Sequence, residues 1–220
     1  MNSRFSLILI ACVLVFGGIL FFNKKEAKSP ENKSNTSNVK PTNHVRGNKD
    51  AKVTLTEYGD FECPACSQYY PLVEQVYDKY KDKIQFQFRN FPLIQIHQNA
   101  MVAHRAAQAA SNQGKFWEMY HKLYENHSAW TSGGIATNAI RGYAEEIGLD
   151  MKKYDEDFKS EQTNAIINAD VDEGKSKGVE STPTFMINGK KINNPGSADE
   201  FSKVIDEALR VINKHYALKK

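Results

Sequence analysis

Two cysteines separated by two residues, Cys63-Pro64-Ala65-Cys66, lie between a β-prone run, Val53 to Tyr58, and an amphipathic segment. A CxxC pair at a strand-to-helix junction sets its first sulfur at a helix N-terminus. There the macrodipole and the free backbone N–H groups favour the thiolate over the thiol. The same spacing is also half of a zinc site. The chain holds three cysteines, and the third, Cys12, lies in an apolar run far from the pair. One pair is too sparse for a disulfide scaffold and lacks the further thiolates of a Cys₄ or Cys₃His site. The six histidines leave a mixed metal site open at this point.

Length and charge narrow the function classes. The 220 residues suit one ample domain more simply than two small ones. The net charge of +3 arises from 29 basic and 26 acidic residues that are intermingled, with no basic block interleaved with aromatics. Nucleic acid is therefore excluded as a partner.

Residues Phe5 to Phe22 form eighteen uncharged, mostly apolar positions, about 27 Å of helix and close to the thickness of a bilayer's hydrocarbon core. The exit, Ile19-Leu20-Phe21-Phe22-Asn23-Lys24-Lys25, lacks the small residues of a secretory cleavage site, so residues 1–22 read as an uncleaved membrane anchor. Leu9-Ile10-Ala11-Cys12 also resembles a lipoprotein box, but the apolar run continues past Cys12. Arg4 faces Lys24, Lys25 and Lys28 across the run, and this charge distribution leaves the orientation open. Residues 23–43 are polar, with Ala27 and Val39 as the apolar members. They read as a disordered linker spanning about 25 Å.

From residue 44 the pattern is that of a folded domain. Val53 to Tyr58, Ile84 to Phe88 and Thr184 to Ile187 read as strands, the last closed by the hairpin signal Asn188-Gly189 before Lys190 to Ile192. Helical periodicity marks 99–113, 115–126, 137–147, 150–158 and 160–177. Ser197-Ala198-Asp199-Glu200 is a capping box opening a helix with Phe201, Val204, Ile205, Ala208 and Ile212 on one stripe. Pro183, in Ser181-Thr182-Pro183-Thr184, stands at a strand entrance. It is either an ordinary trans turn proline or a cis bend that exposes the preceding backbone; position alone does not choose between them.

The strings Arg46 to Ala51 and Val53 to Cys66 (VTLTEYGDFECPAC) resemble the start of DsbA-like thioredoxin-fold proteins, especially the membrane-anchored type of Gram-positive and related bacteria. Arg89-Asn90-Phe91-Pro92-Leu93, His97, Gly114-Lys115-Phe116-Trp117 and Gly178 to Gly189 (GVESTPTFMING) extend the likeness over residues 45–216. The resemblance implies an α/β thioredoxin fold with a helical insertion at about 97–178. Thioredoxins and glutaredoxins reach the equivalent proline far sooner than the 117 residues that separate Cys66 from Pro183. Pro64 suits a first helical turn, where no backbone hydrogen bond is lost.

The resemblance also implies roles. Cys63 meets the substrate, and Cys66 resolves or re-forms the Cys63-Cys66 disulfide through a mixed disulfide. Thr182 and Pro183 face the sulfurs and present backbone to an extended substrate segment, and Thr182 can donate to Cys63. Glu57 matches an acidic position beneath the active site that assists proton transfer; the alternative is a solvated strand glutamate. Enteric DsbA proteins carry His where this chain has Ala65, so the Cys63 pKa is expected below that of free cysteine yet above the lowest of the family. Asp60 reads as a loop cap. His97, His104, His121 and His127, on expected helices, read as surface or core residues rather than ligands, and Phe116, Tyr120 and Leu123 as core.

The expected function is thus a thiol:disulfide oxidoreductase that oxidises cysteines of exported, unfolded or partly folded proteins, with no cofactor beyond its redox-active disulfide and no metal. The expected setting is a monomer anchored in the cell membrane, its catalytic domain extracytoplasmic, its electrons passing to a quinone-linked membrane reoxidase. A reductase of the same fold uses the same residues. A non-catalytic binding module with a structural CxxC is the alternative from another class. An isomerase is disfavoured because no dimerisation domain precedes the motif.

Overall fold

The β-prone run that precedes the cysteines becomes the central strand of a five-stranded sheet. The structure, a computed structural model, describes residues 39–132, 134 and 136–218. Its strands are β1 (His44–Gly47), β2 (Thr54–Gly59), β3 (Gln85–Asn90), β4 (Thr184–Ile187) and β5 (Lys190–Lys191), in spatial order β1-β3-β2-β4-β5. The β2–β3 pair is parallel, and the β1–β3, β2–β4 and β4–β5 pairs are antiparallel. The helices are α1 (Pro64–Tyr80), α2 (Ala100–Ser111), α3 (Phe116–Glu125), α4 (His127–Thr131), α5 (Ala136–Glu146), α6 (Met151–Lys159), α7 (Glu161–Ser176) and α8 (Ala198–Ala217). This is the thioredoxin-type α/β architecture with helices α2 to α7 inserted between its halves.

Register sorts the side chains between two faces. Leu55 lies beside Phe86, and Glu57 lies between Phe88 and Phe185, so these residues share one face. On that face the rings of Phe185 and Phe201 meet edge-on at 4.9 Å, and Lys79 Nζ donates to Ser202 Oγ at 2.9 Å, joining α1 to α8. From the insertion, Phe116 and Tyr120 of α3 pack on Phe88, and both are buried with Leu123, as their helical spacing implies. On the opposite face Tyr58 meets Phe91, and its hydroxyl donates to Glu173 of α7 at 3.1 Å. Cover on both faces buries Leu55 to Gly59.

Local chemistry sets the ends of these elements. Asn188 (φ 49°) and Gly189 (φ 77°) occupy the left-handed region that a two-residue hairpin turn demands. Asn188 also ties the turn to the start of β2, accepting from Thr54 N at 2.7 Å and donating to Lys52 O at 3.0 Å. Asp150 caps α6 and Ser160 caps α7 through the N–H groups of Lys153 and Thr163. Ser197 Oγ accepts from Glu200 N at 3.2 Å, but the Glu200 carboxylate returns to Gly196 N at 2.7 Å instead of to Ser197, a variant of the expected box.

The structure departs from the sequence-based expectations in several places. The Thr182–Pro183 bond is cis, which settles the alternative left open above. His97 lies in the turn before α2, not on a helix; His104, His121 and His127 are helical. Strand β1 and the short helix α4 were not expected. The chain assigned to the linker up to residue 43 is part of the fold at its end, where buried Thr42 donates from N (2.7 Å) and Oγ1 (2.6 Å) to the Asp170 carboxylate. The anchor at 1–22, Cys12 and the rest of the linker lie outside the described residues. Among the described residues, no helix is long and apolar enough to cross a membrane.

Gly59 closes β2 where space is shortest: a Cβ there would lie 2.5 Å from the Phe88 ring and 3.0 Å from Glu57 Oε1. Gly59→Ala is therefore expected to cost about 1–3 kcal/mol of stability by overpacking. A urea midpoint equal to that of the wild type would contradict this packing.

Candidate active site

Strand β2 ends at Gly59, and the loop Asp60 to Glu62 delivers Cys63 to the N-cap of α1 (φ −67°, ψ 121°), with Pro64 at its first helical position. Cys63 is 6% exposed and Cys66, one turn further, is fully buried; both are free thiols. The Cys66 thiol hydrogen-bonds to the Cys63 sulfur, and the Thr182 side chain and the N–H groups of Cys66 and Ala65 add to it, so that despite partial burial the Cys63 pKa falls from 9.0 to about 5. The shift lies on the thiolate side of free cysteine.

Across from Cys63 stands the loop that enters β4. The Thr182 carbonyl oxygen is 3.5 Å from Cys63 Sγ, and the buried Thr182 hydroxyl, engaged by no other group among the described residues, is free to donate to the Cys63 thiolate. Two bonds hold this loop: Asn194 Nδ2 donates to the Pro183 carbonyl at 2.7 Å, and Thr184 Oγ1 to the Ser181 carbonyl at 2.7 Å. Thus Cys63, Cys66, Thr182 and Pro183 meet in one place. Asn194, which positions Pro183, carries no signal in the sequence.

Cys66 has the opposite electrostatics. Burial raises its thiol well above 9.0, and its bond to Cys63 and the nearby Glu57 carboxyl act in the same direction. Glu57 is 1% exposed, and its Oε2 has no hydrogen-bond partner among the described residues. Burial, with Glu74 adding to it and Arg46 opposing, pushes its pKa up to about 8. The solvated alternative is thereby removed: at neutral pH this group is a protonated carboxylic acid close to Cys66.

The loop before the cysteines is pinned by Asp60, which does more than cap a turn. Its buried carboxylate accepts from His97 Nδ1 (2.7 Å), Leu93 N (2.8 Å) and Glu62 N (3.0 Å), with His104 Nε2 at 3.6 Å. Burial works against the charge, yet His104, His97 and the Leu93 N–H hold the Asp60 pKa at about 2. His104 Nδ1 in turn donates to Asn90 Oδ1 (2.7 Å), and Asn90 Nδ2 donates to Asp170 (2.7 Å). His121 pairs with the Tyr70 hydroxyl and His127 with the Glu62 carbonyl. Among the described residues, no three His, Cys, Asp or Glu side chains are grouped to hold a metal ion. Asp170 was not anticipated, although it falls on the inward stripe of α7 with Thr163, Ile167 and Gly174.

Comparison with known proteins agrees with this geometry. A family model described as Thioredoxin matches residues 39–207. The structure is similar to those of DsbA2 from Pseudomonas aeruginosa (26% identity, TM-score 0.59, covering 76% of this chain and 95% of that one) and BdbD from Bacillus subtilis in its oxidised form (23%, 0.66, 78% and 96%). It is likewise similar to α-DsbA1 from Wolbachia pipientis (19%, 0.69, 79% and 94%). Curated relatives include proteins named Na(+)/H(+) antiporter NhaA 1, from Mycolicibacterium gilvum (31% identity over 206 residues) and Salinispora arenicola (37% over 166 residues). The matched segment covers 90% and 76% of this chain but 33% and 24% of those proteins, so the chain spans a third of their length or less.

In the reduced protein the shifts at Glu57 and Cys63 oppose each other. Glu57 loses its proton near 4.5 when unfolded and near 8 when folded. Between these values the unfolded chain binds fewer protons, and stability falls as pH rises. Cys63 ionises near 5 when folded and near 9 when unfolded, so over that window stability rises with pH. Reduced Cys63→Ala is expected to lose on the order of a few kcal/mol from pH 4.5 to pH 8. Reduced Glu57→Gln is expected to gain stability from pH 5 to pH 9. Denaturant titrations across pH check both signs, and flat profiles in both variants would contradict the assignments.

Proposed function

The chain belongs to the thioredoxin family, and we propose that it is a DsbA-like thiol:disulfide oxidoreductase that oxidises cysteine pairs in exported, unfolded or partly folded proteins. The observation that carries the reading is Cys63: a stabilised thiolate at a helix N-terminus, facing the Thr182 carbonyl across 3.5 Å. In the oxidising direction a substrate thiolate attacks Cys63 Sγ of the Cys63–Cys66 disulfide, the S–S bond breaks, and Cys66 departs with the electron pair. Glu57, protonated at neutral pH, is the acid placed to give Cys66 its proton. A second substrate thiolate then attacks the substrate sulfur of the mixed disulfide, and Cys63 leaves. The substrate is oxidised by two electrons and the site is reduced by two.

Direction follows from the leaving group. A Cys63 that is stable as a thiolate stabilises the reduced protein and thereby makes the disulfide a better oxidant. Recognition through main-chain hydrogen bonds is part of the proposal: the backbone of the Thr182–Pro183 loop, beside Cys63, would pair with an extended substrate segment. Anchoring through the apolar run Phe5 to Phe22, an extracytoplasmic domain and reoxidation by a quinone-linked membrane partner complete it.

The reduction potential of the Cys63/Cys66 couple, from glutathione equilibration, tests the direction. It is expected well above thioredoxin's approximate −270 mV and toward the −120 mV of a strong oxidant; a value at or below thioredoxin's would make the protein a reductase. Refolding of reduced ribonuclease is expected to require Cys63, and unchanged activity in Cys63→Ala would overturn the exchange mechanism. Labelling of Cys63 by an impermeant alkylating reagent in intact cells checks the placement.

A further inference from the structure

Asp60 brackets the redox motif with its own backbone. Its carbonyl accepts the Cys63 N–H at 3.1 Å, and its N–H donates to Cys66 Sγ at 3.5 Å. One peptide segment thus touches both cysteines. This N–H is the backbone group that favours an anion on Cys66, against burial, the Cys63 bond and Glu57. Its position is imposed from the side chain: three elements reach the Asp60 carboxylate, namely the Leu93-to-His97 turn, the Glu62 N–H of its own loop and His104 of α2. The brace does not end there, since His104 is fixed by Asn90, and Asn90 by Asp170 beside Thr42 and Arg89.

Resting on the exchange reading above, we infer that Asp60 is a positioning residue for Cys66. By holding its peptide N–H on the buried sulfur it stabilises the Cys66 thiolate, which is the attacker when the site closes its disulfide and the leaving group when the site opens it. A hydrogen bond to an anion outweighs one to a neutral group. The device therefore acts directly on the step through Cys66 and reaches the Cys63 attack only at second hand, through the Cys66 thiol, while Thr182 and the α1 amides stabilise the Cys63 thiolate without Asp60.

An aromatic disulfide, 5,5′-dithiobis(2-nitrobenzoate), separates the two steps in the reduced protein. Cys63 thiolate attacks it, forming a Cys63–aryl disulfide and releasing one aryl thiolate. Cys66 thiolate then attacks Cys63 Sγ, forming the Cys63–Cys66 disulfide and releasing the second. In Asp60→Asn the second release is expected to slow about tenfold, the effect of weakening one hydrogen bond to an anion, and the first by much less. His97→Gln, which removes one partly exposed donor and leaves Asp60 charged, is expected to slow the second release about threefold. It decides the question if Asp60→Asn does not fold. Wild-type second release in the folded variants, or equal slowing of both releases, would overturn the inference. A wild-type protein that releases no second thiolate would overturn the exchange reading itself.

Discussion

Strand β2 pairs with β3 on one side and β4 on the other, and this double pairing brings Cys63 to the Thr182 carbonyl across 119 residues of sequence. The two halves of the site are built at opposite ends of the domain, and the intervening helices have to fold back for the second half to reach the first. Burial of β2 on both faces secures the pairing, because a strand covered by α1, α3 and α8 on one face and α7 on the other has no surface along which to slip. The same burial takes Glu57 out of water.

Two sulfurs one helical turn apart therefore meet opposite environments. Cys63, at the helix start, gains hydrogen bonds to its anion; Cys66, buried and near Glu57, is driven toward the thiol. That asymmetry gives the pair a direction of attack. In the proposed exchange a carboxyl group that stays protonated near neutrality suits this pair, since an ionised Glu57 would further oppose any charge on Cys66. The cost of burying Glu57 falls on stability, and the Cys63 shift works in the opposite sense over an overlapping pH range.

Much of this was legible in the sequence. Cys63 and Cys66 follow from their spacing, β2 from alternation, β4 from its short apolar run, the longer helices from their stripes and caps, and the hairpin from Asn188-Gly189. What could not be read were pairings between distant polar groups. Asp60 looks like a turn residue until Leu93, His97 and His104 converge on it, and Thr42 looks like linker until Asp170 accepts its hydroxyl. Strand β1 has Val45 as its single apolar side chain and forms only by pairing with β3. The burial of Glu57 was hidden because one strand's pattern does not reveal whether helices cover its second face.

Exchange at this site depends on the ionisation of Cys63. Thiolate absorbance of the reduced protein, followed against pH with Cys63→Ala as the blank, is expected to show one transition near 5, with Cys66 still protonated at neutral pH. A single transition at or above 9.0 would show that the helix start and the Thr182 loop do not stabilise the thiolate, and would contradict the account at its centre.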